Sequence, residues 1–294
     1  MIATYGLLGM AILSVWLPGV PLGRTIRIPV WSILLAAAVA CGLAMGFLGP
    51  LALLPMGVLA ALCCVAVRLE RQPDRTPWLR RLVLLAVGVL SLALAMHLAP
   101  GFRNPRVINE MILSPGAPPF SQYLNFDKGV VGLLLLAFLC QRAHSGAELL
   151  AGLRAAALPG LRTIAVVMAC GVLIGYVAVD LKLPEVTPVF LLANLLFTCV
   201  AEEAFFRGLL QARLAACLQH RRGGAAIAIV VVGLLFGAAH LAGGWKAGLL
   251  ASMAGIGYGV AYHRSQKIEA AILLHFTLNA VQFLAFTYPF LLNR

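Results

Sequence analysis

The sequence predicts an all-α fold, a polytopic transmembrane helix bundle of about eight to ten spans. Two observations carry that reading. Of the 294 residues, 62% are hydrophobic and only 11% are charged, with a mean hydropathy of +0.97. Soluble globular chains run at roughly 45–50% apolar and about 25% charged, so this chain has too little polar surface to stay in water. The second observation is the recurrence of charge-poor stretches, each close to the ~20 apolar residues a helix needs to cross a bilayer.

Spans are expected at 2–20, 28–49, 50–67, 82–100, 129–141, 163–180, 189–212, 225–243, 247–262 and 270–290. The first lacks a basic flank and a small-residue cleavage site, so it reads as a helix and not a signal peptide. Gly49-Pro50 turns the second span tightly into the third. The connection 101–128 is rich in Pro, Gly and Asn and is expected as an irregular outer loop with an interfacial turn over Ile108–Leu113. Ser145, with Glu148 three residues on, is a helix start, and a short helix on the cytoplasmic face is expected to follow it. The chain divides into N-terminal transmembrane helices with their outer loop, 1–188, and a core, 189–294.

The net charge of +12, from 22 basic and 10 acidic residues, would in a soluble protein suggest nucleic-acid binding. Alternating the loops across the membrane explains it differently. Arg24, Arg27, Arg68, Arg71, Arg75, Arg80, Arg81, Arg142, Arg154, Arg162, Arg213, Arg221, Arg222, Arg264 and Lys267 fall on one side. Arg103, Arg106, Lys128, Lys182, Lys246 and Arg294 fall on the other, and Arg207 lies inside a helix. The richer side is cytoplasmic by the positive-inside rule, with both termini outside, and no nucleic-acid partner is expected. Trp16, Trp31 and Trp78 fall near the expected interfaces. The seven cysteines lie in apolar stretches without CxxC spacing and read as small buried hydrophobes, not as disulfides or a thiolate zinc site.

An ionisable residue at the bilayer centre costs at least ~2.5–3.5 kcal/mol on insertion scales, so each one inside a span is a functional candidate. Such residues gather in the last hundred positions: Glu202, Glu203 and Arg207 in the seventh span, His240 in the eighth, and His275 in the tenth, accompanied there by the polar Asn279. His97, at the outer end of the fourth span, reads as interfacial. At 3.6 residues per turn Glu203, Arg207 and Gln211 share one stripe, and Glu202 lies about 100° around, with Asn194 and Thr198. The two glutamates thus have different roles, one neutralised by arginine and one open to a cavity. His275 and Asn279 point the same way, and Phe236 sits one turn before His240.

A carboxylate beside a histidine can deprotonate water, while a second histidine and an asparagine can donate to the oxyanion of a tetrahedral intermediate. Glu202 is then the general base, His240 orients the water, and His275 with Asn279 forms the oxyanion site. No cofactor is needed. Glu202, His240 and His275 are also a possible zinc set. There is no GxSxG, and neither Ser nor Lys accompanies these histidines. Counting ~1.5 Å per residue puts Glu202 and His275 about 8–10 Å from the cytoplasmic side but His240 nearer ~24 Å, a disparity that a single site cannot have.

The pattern Glu202-Glu203-Ala-Phe-Phe-Arg207, then Phe236-Gly-Ala-Ala-His240, then His275-Phe-Thr-Leu-Asn279 resembles that of the CPBP group of intramembrane proteases. This group includes the CAAX proteases and the bacteriocin-processing or Abi proteins, and its motifs run EExxxR, FxxxH and HxxxN. The resemblance covers roughly 189–290. It implies a glutamate-dependent intramembrane endopeptidase acting by activated water on membrane-associated or lipidated proteins. It carries the catalytic roles to Glu202, His240, His275 and Asn279, with Glu203 and Arg207 in support, and favours a metal-independent mechanism. The expected setting is a bacterial inner membrane, with the lipid bilayer and a peptide or protein substrate as partners. Two other classes stay open: a membrane protein that binds peptide or confers immunity without cutting, and a proton-coupled transporter.

Overall fold

The computed structural model describes residues 1–23, 26–71 and 77–292. Arg24, Arg75 and Arg294, which entered the charge count, lie outside the described residues. Along the chain run helices α1 (Ile2–Leu13), α2 (Val30–Ala44), α3 (Leu53–Glu70), α4 (Pro77–Ala95), α5 (Phe126–Phe138) and α6 (Gly146–Leu173). They are followed by α7 (Thr187–Cys217), α8 (Gly224–Ala239), α9 (Trp245–Ser265) and α10 (Ile268–Ala285). Strands β1 (Val20–Leu22) and β2 (Ile26–Ile28) pair antiparallel, as a small ribbon between α1 and α2 in sequence. Strands β3 (Arg106–Met111) and β4 (Phe120–Tyr123) form a second two-stranded sheet.

The fold is all-α, as expected. Among the described residues five helices, Pro50–Glu70, α4, α6, α7 and α10, are long and apolar enough to cross a membrane. Three further apolar helices, Ile2–Trp16, α2 and α8, are shorter. The short helix expected after Ser145 and the span expected over 163–180 are one helix, α6, which continues through Pro159 and stops at Leu173. Its start is the expected one: the Ser145 hydroxyl accepts from the Glu148 N–H at 3.2 Å. Glu148 reaches back past the cap to the His144 N–H at 3.2 Å, so one first-turn donor and the amide just before the cap are both satisfied.

The chain separates into two compact units. The first comprises Met1–Pro105, Tyr123–Cys140 and Leu196–Phe205; the second comprises Arg106–Gln122, Gln141–Leu195 and Phe206–Arg294. In the first unit α5 is buried along nearly its whole length. Its close contact with α7 depends on Gly132, where an added Cβ would stand 2.9 Å from Ala201 Cα, inside any real contact distance. Tyr5 sits at the centre of this unit, edge-on to Phe47, Phe126 and Phe197.

In the second unit α8 and α9 approach so closely that a Cβ at Gly237 would collide with Ser252 Oγ and lie 2.5 Å from the Gly248 carbonyl oxygen. Helices inside a membrane gain little from hydrophobicity, and small residues that let backbones meet drive their association. The turn expected over Ile108–Leu113 is instead mostly strand. Ile108 is buried with Phe190 and Phe283, and a pleated strand lets one side chain point inward while its neighbours face out. Phe190 and Phe283 stack with centroids 3.8 Å apart.

Candidate active site

Helix α7 carries the first motif and is not a regular α-helix there. Asn194–Cys199 and Ala204–Gln211 are π-helical, and only Val200–Glu203 between them is α. Bonding i to i+5 widens the turn; π segments are rare and concentrate at functional sites. With more than four residues per turn, positions four apart nearly superimpose. Arg207 and Gln211 accordingly reach two carbonyls of α9 that are also four apart. Arg207 Nη2 donates to Gly255 O at 2.6 Å and Gln211 Nε2 donates to Gly259 O at 2.9 Å.

Glu202 and Glu203 fall in the first unit, and Arg207, His240, His275 and Asn279 fall in the second. Glu203 is fully buried, whereas Glu202 keeps some exposure. Glu202 Oε1 accepts a hydrogen bond from Lys128 Nζ at 2.6 Å. Lys128, counted from the sequence as an outer-loop residue, therefore stands at the level of Glu202, in the first turn of α5.

The second unit gathers its site around Phe236, which is 2% exposed. The His240 ring lies 4.6 Å from Phe236, and the His275 ring meets Phe236 edge-on at 5.6 Å. Both imidazoles thus touch one ring, and the disparity in depth expected between His240 and His275 is absent. α8 ends at Ala239, so His240 caps a helix that is shorter than the expected span. Arg207 stands over the same ring, its Cζ 4.9 Å from the Phe236 centroid and 5.3 Å from that of Tyr258. Such cation–π contact offsets part of the cost of burying a guanidinium.

Three further contacts fix the imidazoles and the amide. His240 Nδ1 lies 2.8 Å from Phe236 O; a carbonyl only accepts, so Nδ1 is the donor, and in the tautomer with its single proton there Nε2 is the acceptor. The Tyr258 ring stacks on His275 at 4.7 Å. Asn279 Nδ2 donates to Asn194 Oδ1 at 3.2 Å, so Asn194, assigned from the sequence to the stripe of Glu202, pairs with the last motif residue.

Sequence reasoning did not single out Lys128 or Tyr258, which contact the candidate residues Glu202 and His275. Neither had a signal, since one resembled a loop cation and the other an apolar-helix aromatic. His97, read from the sequence as interfacial, is half exposed, and its Nδ1 is 2.7 Å from Oδ2 of Asp127, a fully buried carboxylate. Among the described residues no group of three or more His, Cys, Asp or Glu side chains is arranged to hold a metal ion.

Residues 184–281 match the family model of the type II CAAX prenyl endopeptidases, Rce1-like. The matched segment contains all three motifs. Comparison with curated proteins and with solved structures gives no match. With the long apolar helices, the family match indicates an integral multi-pass membrane protein. The segment 184–281 is thus similar to the Rce1-like type II CAAX prenyl endopeptidases, a similarity consistent with the CPBP family and, at the family level, with CAAX-protease-like intramembrane endopeptidases.

Proposed function

We propose that this protein is a glutamate-dependent intramembrane endopeptidase that hydrolyses a peptide bond in a membrane-associated or lipidated protein, in a bacterial inner membrane. The observation that supports it most is the convergence of His240 and His275 on Phe236 inside the segment that matches the Rce1-like model. Glu202 takes a proton from water while the water oxygen attacks the carbonyl carbon. His240 orients that water through Nε2. His275 and Asn279 donate to the developing oxyanion, and on collapse the carbon–nitrogen bond breaks and the proton on Glu202 passes to the leaving amine. One water is consumed, and a carboxylic acid and an amine are formed, the proton of the acid then passing to the amine or to solvent. General base catalysis contributes about 10²–10⁴-fold, and oxyanion donors about 10²–10³-fold each. Glu203 and Arg207 support the helix that presents the base, and residues 1–188 supply the surrounding helices and outer loop.

The test is cleavage of a farnesylated peptide bearing a C-terminal CAAX sequence by the vesicle-reconstituted protein, followed by mass spectrometry. Glu202→Gln should abolish product while leaving insertion and thermal unfolding unchanged. Cleavage by that variant at the wild-type rate would remove the reading. Activity that survives a chelator separates this mechanism from one using zinc at Glu202, His240 and His275.

A further inference from the structure

Lys128 lies outside the matched segment and outside all three motifs, yet its ammonium reaches the carboxylate assigned as base. Both side chains are largely withdrawn from solvent, at 17% and 16% exposure, and Nζ to Oε1 is 2.6 Å. A helix-holding ion pair would be a poor use of two buried charges, because desolvation consumes most of the attraction. Hydrogen bonds between membrane helices average only ~0.6 kcal/mol. The surroundings of Lys128 instead resemble a mount. Asp127 Oδ1 accepts from the Lys128 backbone N–H at 2.8 Å and from Asn104 Nδ2 at 3.1 Å. Asn104 Oδ1 accepts from the Phe126 N–H at 3.0 Å, and His97 Nδ1 holds the other Asp127 oxygen at 2.7 Å. Two of the backbone donors that a helix start leaves open are thereby tied down, which fixes the first turn of α5 and the direction in which Lys128 leaves it. Gly132 then lets α5 approach the Ala201 backbone, one residue from Glu202.

We infer that Lys128 is a positioning residue for Glu202: it holds one carboxylate oxygen and so sets the plane of the carboxylate, and the His97–Asn104–Asp127 cluster aims it. The inference rests on the assignment of Glu202 as general base. A carboxylate at the end of a glutamate side chain has broad freedom about its last torsion. A fixed donor on one oxygen removes that freedom before water arrives, which is the preorganisation that proton transfer rewards.

The experiment uses the full chain in vesicles with the same farnesylated peptide. Lys128→Met should lower kcat by about 10–100-fold, by analogy with the loss when the hydrogen-bond partner behind a metal-ligating side chain is removed. KM should stay within about twofold, because the lost contact orients the base and does not hold substrate. Lys128→Arg, which keeps the cation and its donors, should recover the larger part of kcat. His97→Ala, at a half-exposed position, should lower kcat severalfold alone and add nothing in the Lys128→Met background, since both act through one contact. Wild-type kcat in Lys128→Met overturns the proposal. So does additivity of the two substitutions, or a loss of kcat that follows the thermal midpoint. Independently of turnover, the carboxylate infrared band lost in Glu202→Gln should shift in Lys128→Met and not in Lys128→Arg; an unmoved band also overturns it. Wild-type cleavage by Glu202→Gln would instead strike the base assignment itself, so the two failures are distinct.

Discussion

The ring of Tyr258 lies flat against the imidazole of His275, with centroids 4.7 Å apart and planes 18° from parallel. Both are buried, and Phe236 meets each of them edge-on. An imidazole sandwiched in this way cannot turn about its second torsion without losing a stacking contact worth about 0.5–1.5 kcal/mol. If His275 donates to an oxyanion, its ring plane matters. Tyr258→Leu should therefore lower kcat about tenfold or more while leaving KM nearly unchanged, and Tyr258→Phe should stay near wild type. Equal losses in the two variants, in a steady-state assay, would assign the effect to the hydroxyl and not to stacking.

Asn194 and Asn279 offer a second test. The Asn194 carbonyl receives one amide hydrogen of Asn279, which decides which way the Asn279 amide faces. Asn279→Ala should cost roughly 10²–10³-fold in kcat, as for other oxyanion donors. Asn194→Ala should cost less. The double variant should be no worse than Asn279→Ala alone, because Asn194 acts only through its partner. Multiplied effects in the kinetic cycle would refute the shared role.

The connection after α6 gives an acid dependence. Ser114 hydrogen-bonds to the Asp180 carboxylate and Lys182 Nζ stands 3.1 Å from it, and these hold it below the usual carboxylate range. A depressed folded value means that the stabilisation is complete above the unfolded value, ~3.9 for aspartate, and is lost as pH falls through the folded value. Thermal unfolding in detergent between about pH 2 and pH 5 should therefore show a decline at the acid end of that range that Asp180→Asn flattens. An identical slope in both proteins would remove Asp180 as its source.

The helices and the order of the motifs were legible in the sequence because both are local properties. Hydropathy over about 20 residues reports a span directly, and buried ionisable groups stand out against so apolar a background. Ser145 and Glu148 announced the start of α6, since a cap involves residues only three apart. Helix ends were less visible, as α6 showed by running through Pro159. Arginine stripes drawn at 3.6 residues per turn did not anticipate π-helical segments either, because i to i+5 bonding leaves no compositional mark.

From the sequence alone came the membrane setting, the all-helical class and the small set of polar residues between Glu202 and Asn279 that insertion does not explain. Only the tertiary structure could decide that His240 and His275 meet at Phe236, that Tyr258 stacks on His275, and that Lys128 reaches Glu202. Those relationships join residues far apart in the chain. They depend on how closely backbones pass at positions such as Gly132 and Gly237, a matter of packing geometry to which spacing along one helix is blind.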